Sequence, residues 1–173
     1  MTKMKKMIRF FPAVIVMFAF ATSTFAQVSA TATATATIIT PIAISKTTDM
    51  NFGNVAVNAV AGTVVLTPAG TRSATGGVTL PGVTGTVSQA VFNVTGQANA
   101  TYAITLPAVA TTITSGANTM TVNPFSSTPT PTGVLSAGGS QTLNVGATLN
   151  VGASQAAGTY VSGTAFTVTV NYN

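Results

Sequence analysis

Past residue 26 the chain carries only three formally charged side chains, Lys46, Asp49 and Arg72. No histidine, cysteine or glutamate occurs anywhere, so Asp49 is the sole side-chain acid. A Ser-His-Asp triad and a Cys-His pair both lack their parts. Glycoside hydrolysis in its usual form needs two carboxyl groups and finds one. Transition-metal sites need His, Cys or several carboxylates, and a single Asp with carbonyls makes at best a weak calcium site. Lys46 has the chemistry to activate a serine, but it stands three residues before Asp49, a spacing that favours an exposed ion pair. The expectation is a protein with no catalytic residues, no cofactor and no metal.

Binding chemistry is thin as well. Gly76-Gly77 and Gly138-Gly139 lack the lysine and helix of a phosphate-binding loop and read as turns. Asn93-Val94-Thr95 and Asn99-Ala100-Thr101 fit the N-glycosylation pattern, which a threonine-rich chain produces by chance. A sugar ligand is an alternative without positive support: there is no tryptophan, and most of the tyrosines and phenylalanines fall in strand phase, where they belong to a core.

The charge belongs to the N-terminus. Lys3, Lys5, Lys6 and Arg9 form a positive N-terminal region, Ile8 to Ala21 supply an apolar run, and Thr24-Phe25-Ala26 fits a small-residue cleavage site. That order reads as a cleavable signal peptide over residues 1–26 and predicts Sec-type export. Thr22, Ser23 and Thr24 interrupt the run too early for a membrane anchor, so no membrane span is expected in the mature chain. The whole-chain charge of +5 is therefore mostly discarded. Two remaining cations cannot neutralise a row of phosphates, which excludes nucleic acid as a partner.

What must position any function is a set of short strands. Residues 27–39 form an extension in which alanine and threonine alternate, with Ala30, Ala32, Ala34, Ala36 and Ile38 on one face and Thr31, Thr33, Thr35 and Thr37 on the other. Two readings stand side by side: a low-complexity linker, or a detachable strand that pairs with another molecule. Residues 40–173 then fit one domain. Strands are expected at Ile42-Ala43-Ile44, Met50 to Val57, Thr63 to Thr67, Val78-Thr79-Leu80, Gln89 to Gly96, Thr101 to Leu106 and Met120 to Asn123. A loop is expected from Pro124 to Gly139. Leu143 to Ala153 repeats Leu-Asn-Val-Gly-Ala and reads as a strand with a glycine bulge. The last strand spans Thr164 to Asn173, with Phe166, Val168, Val170 and Tyr172 on one face. No segment past residue 26 shows a capped 3.6-residue apolar period, so the fold class is all-β, an immunoglobulin-like β-sandwich without disulfides.

Two resemblances follow from these residues. An alternating segment behind the cleavage site, paired with an alternating C-terminal strand that has tyrosine next to last, resembles subunits of chaperone–usher pili. In those proteins an incomplete domain borrows a strand, first from a periplasmic chaperone and then from the next subunit. The resemblance implies that Phe166, Val168, Val170 and Tyr172 form the strand a chaperone or partner reads. It further implies that Ala30, Ala32, Ala34, Ala36 and Ile38 are donor side chains. Here the donor face is mostly methyl groups, and alanine buries far less apolar area than valine or leucine.

Over most of the chain the sequence also resembles domain-of-unknown-function family 4402 of exported bacterial proteins. The residues concerned are Phe52-Gly53, Gly76-Gly77-Val78, Phe92-Asn93-Val94-Thr95-Gly96 and Tyr102-Ala103-Ile104-Thr105-Leu106. Gly139, the Leu143 to Ala153 stretch and Ala157-Gly158-Thr159-Tyr160 continue the match.

Together these readings predict a structural fimbrial or pilus-like subunit of the bacterial cell surface. It would pass through the periplasm and partner with itself or with a chaperone and usher. The alternative is a self-contained secreted sandwich that acts as a cell-envelope or carbohydrate- or protein-binding module.

Overall fold

A computed structural model of the chain describes residues 26–173; residues 1–25, which carry most of the signal-peptide reading, lie outside the described residues. The chain divides into two units at Thr37/Ile38. In the first, residues 26–37 are exposed and contain no strand. The second is all-β.

Its eleven strands are β1 (Ala43–Thr48), β2 (Ala56–Leu66), β3 (Arg72–Thr79), β4 (Ala90–Thr95), β5 (Thr101–Thr105), β6 (Thr111–Ser115), β7 (Asn118–Thr128), β8 (Thr132–Val134), β9 (Ser140–Val151), β10 (Val161–Ser162) and β11 (Thr169–Tyr172). Eight of them form one curled sheet, ordered β1-β4-β9-β7-β6-β10 with β2 on β9 and β3 on β2. The other three form a small sheet, β11-β5-β8. Every pairing is antiparallel. A β-sandwich of curled antiparallel sheets is the fold.

β9 organises it. Its repeat has a period of six residues, an even number, so both copies keep the same phase along a strand. Leu143, Val145, Ala147, Leu149 and Val151 all point inward and are buried, while Thr142, Asn144, Thr148 and Asn150 take the outer face. On one side β9 pairs first with β4 and then with β2; on the other it pairs with β7. The expected glycine bulge is not in β9. The irregularity lies opposite, where β7 slips register between Val122 and Phe125. Gly146 serves instead for close approach, since a side chain there would run into the backbone from Leu66 to Pro68.

The inner faces make two apolar clusters. The small sheet covers the first, in which Tyr102, Val168 and Val170 pack on Ala90, Val94, Leu143 and Val145. Val64, Val78, Val122, Leu149 and Val151 make the second, which is flanked by non-strand residues such as Phe52 and Val55.

Several expected boundaries move. Met50 to Val57 is mostly loop, tied by the Asn51–Ser88 bridge, and β2 starts only at Ala56. Gly76-Gly77 is no turn: both glycines lie inside β3, opposite a register slip between Val57 and Gly62 that carries the β2 backbone across them. Pro124 to Gly139 is not wholly loop, since β7 runs through Pro124 to Thr128 and β8 follows. The final strand is shorter than expected, and Thr164 to Val168 is irregular.

Candidate functional site

The two candidate segments sit in different surroundings. Ala30, Ala32, Ala34, Ala36 and Ile38 are all exposed and lie outside any strand. Ile38 is 97% exposed, and Val28, which shares its phase, is 93% exposed.

The C-terminal residues are built into the domain. Phe166 is half-buried, and its ring meets Phe92 edge-on at 6.5 Å and Phe125 at 4.9 Å. Val168 and Val170 are buried in the first cluster. β11 pairs with β5 alone, through Val170 opposite Ile104 and Tyr172 opposite Tyr102, so its other edge has no ladder partner among the described residues. The Tyr172 hydroxyl donates to the Thr40 carbonyl at 2.7 Å and accepts from the Gln97 amide at 2.6 Å. Gly96 permits this, since any side chain there would collide with that hydroxyl.

The charged residues lie apart from this strand. Lys46 Nζ is 2.6 Å from Asp49 Oδ1, and both side chains are more than half exposed, as their spacing predicted. The Ser88 hydroxyl donates to the Asp49 backbone carbonyl at 2.7 Å and does not reach Lys46. Arg72 turns inward and donates to the carbonyls of Phe52 and Asn54, holding the loop between β1 and β2. Burial pushes the Tyr102 phenol above its ordinary range, and its hydroxyl donates to Gln141 Oε1 at 2.7 Å. Among the described residues there is no group of three or more metal-ligating side chains. None of their helices is long and apolar enough to cross a membrane.

A cleft of about 1140 Å³ opens beside the second cluster. Met120, Val122, Leu149 and Val151 are among the residues lining it. One wall is Met50 to Val57, and another comes from the stretch between β9 and β10 together with Val161 and Ser162. Sequence reading missed this feature because its walls come largely from irregular segments rich in small residues. The one available signal was the run of Ala, Gly and Thr after Gly152, too polar and too broken for a core strand.

Residues 42–172 match the family model described as domain of unknown function (DUF4402). The chain belongs to that family. No curated protein and no solved structure gave a match. The DUF4402 match begins one residue before β1 and ends on the last residue of β11. It takes in Phe166, Val168, Val170 and Tyr172 and leaves the alternating segment outside.

Proposed function

We propose that this DUF4402 protein is a non-enzymatic structural subunit of the bacterial surface, exported by its signal peptide and assembled in fimbria-like fibres by β-strand exchange. The observation that carries the reading is an uncharged, alternating and fully exposed segment, residues 28–38, attached to a domain with unpaired sheet edges. An exposed edge is a template for strand addition, in which backbone hydrogen bonds supply affinity and alternate side chains supply register. The absence of His, Cys and Glu favours a structural over a catalytic role.

The test is assembly of residues 27–173 against the same chain lacking residues 27–39. The longer chain should form a ladder of oligomers in size-exclusion chromatography with light scattering. The shorter one should remain monomeric yet bind a synthetic peptide of residues 27–39. Equal assembly of both would overturn the proposal.

A second reading is a self-contained secreted sandwich acting as an envelope or binding module. It is favoured by the burial of Val168 and Val170 within their own domain. It predicts a monomer for both chains and no peptide binding.

A further inference from the structure

We propose that the cleft beside the second cluster is the acceptor slot for residues 28–38 of another copy, and that the incoming strand lies between the ends of the large sheet and not along β11. The inference rests on the strand-exchange reading and adds the place where exchange occurs.

The large sheet curls so that both terminal strands of its path reach one opening. Among the described residues β1 is ladder-paired only to β4, and β10 only to β6. Lys46 of β1 and Val161 and Ser162 of β10 line the same cleft. A curled sheet whose two terminal strands both reach one opening leaves unpaired backbone groups near it, and unpaired edges are what a further strand satisfies.

The lining has the right period. Met120 and Val122 on β7, and Leu149 and Val151 on β9, are two-residue steps on inward faces. An extended chain laid over them presents its own alternate side chains at the same spacing, about 6.7 Å per two residues.

The occupant follows from size, phase and charge. Val28, Ala30, Ala32, Ala34, Ala36 and Ile38 share one face, with methyl groups in the middle and a large apolar side chain at each end. The ten steps from Val28 to Ile38 span about 33 Å when extended. No residue from 27 to 45 is charged. The charged groups lining the cleft are Lys46 and Asp49, which already neutralise each other. A neutral alternating chain fits such a slot, whereas a charged peptide would lose hydration without finding a partner.

The edge of β11 offers less. Val168 and Val170 are already buried, so a strand added there gains ladder hydrogen bonds but covers little new apolar surface. Thr40 and Gln97 already hold the Tyr172 end.

The chain has no cysteine, so engineered pairs report only on themselves. Ala34→Cys in one batch of residues 27–173 is mixed with Val161→Cys in a second, and separately with Thr169→Cys. All three positions are exposed, and circular dichroism verifies each fold. Under mild oxidation the 34–161 heterodimer should dominate over 34–169, read by mass. Adding Val28→Asp and Ile38→Asp to the donor should lower its yield by about tenfold or more. A dominant 34–169 product would overturn the cleft assignment while leaving strand exchange standing. Oligomers that form with neither link would also overturn it. Absence of both links and of oligomers would overturn the strand-exchange reading itself.

Discussion

The Tyr172 hydroxyl lies 2.7 Å from the Thr40 carbonyl oxygen, joining the two ends of the sandwich domain across 132 positions of sequence. The Tyr172 hydroxyl also accepts from the Gln97 amide at 2.6 Å, so one phenol closes a three-way junction between β11, the strand-preceding residues and the β4–β5 turn. Tyr172→Phe keeps the ring but removes the partner of a part-buried amide and of an exposed carbonyl. It should destabilise the domain by about 0.5–1.5 kcal/mol in urea unfolding. Gly96→Ala should act on the same junction by displacing the hydroxyl, and the double variant should cost less than the sum of the two. Additive effects would show that the two changes do not share a mechanism.

Tyr102 gives the domain a pH dependence of known sign. Its ring is fully buried, and burial raises the phenol above its ordinary pKa. The folded state therefore holds this proton more tightly than the unfolded chain does. The stabilising contribution is complete below the unfolded value, near pH 10, and is lost as pH rises through the folded one. Unfolding free energy measured from pH 8 to 11.5 should fall at the alkaline end. Tyr102→Phe should flatten that fall while lowering stability at pH 8, because Gln141 loses the hydroxyl as a donor. An unchanged alkaline slope in the variant would refute the assignment.

The sequence was most legible where burial is one-sided. β4, β5 and β9 alternate because one face meets a core and the other meets water, so all three could be read as strands from the sequence. It was least legible where polar strands survive by pairing alone. β6 is Thr-Thr-Ile-Thr-Ser, and it went unrecognised because four of its five side chains carry hydroxyls; its ladder with β7 holds it in place. Gly76 and Gly77 misled in the opposite direction. Glycine punctuates turns in most chains, but here it clears a path for the β2 backbone, a long-range demand that no local pattern carries. The candidate C-terminal strand was read with its phase correct, since Val168 and Val170 do point inward. That β11 lies in a separate small sheet while Phe166, at the start of the same stretch, lines the cleft is a matter of topology that alternation does not encode.

Asn150 shows how an outward-facing polar residue holds an irregular strand. Its amide nitrogen donates to the Thr121 carbonyl at 3.2 Å and to Asn123 Oδ1 at 2.9 Å. These contacts sit at the start of the register slip in β7. Asn150→Ala should cost about 1–3 kcal/mol. Asn144→Ala, on the same face of the same strand, should cost less than about 0.5 kcal/mol. Equal losses in thermal unfolding would mean that the amide is merely exposed polar surface.

Arg72 links the fold to the cleft. Its guanidinium donates to the backbone carbonyls of Phe52 and Asn54, the latter at 3.0 Å, without a carboxylate nearby. Phe52 and Val55 pack on the second cluster and line the cleft, so the arginine fixes one wall of it from behind. Arg72→Met retains the apolar stem and removes the donors. Backbone amides of residues 51–56 should then exchange hydrogen several-fold faster, because the backbone-to-backbone ties left to this loop are the Asn51–Ser88 bridge and the Asn54–Thr84 bond, with the Asn54 side-chain amide donating to the Val83 carbonyl. Protection in β9 should stay unchanged. Uniformly faster exchange across both regions would make Arg72 a contributor to global stability and not a clamp on this wall. If residues 28–38 of another copy enter the cleft, the same substitution should weaken peptide binding without altering the peptide's register.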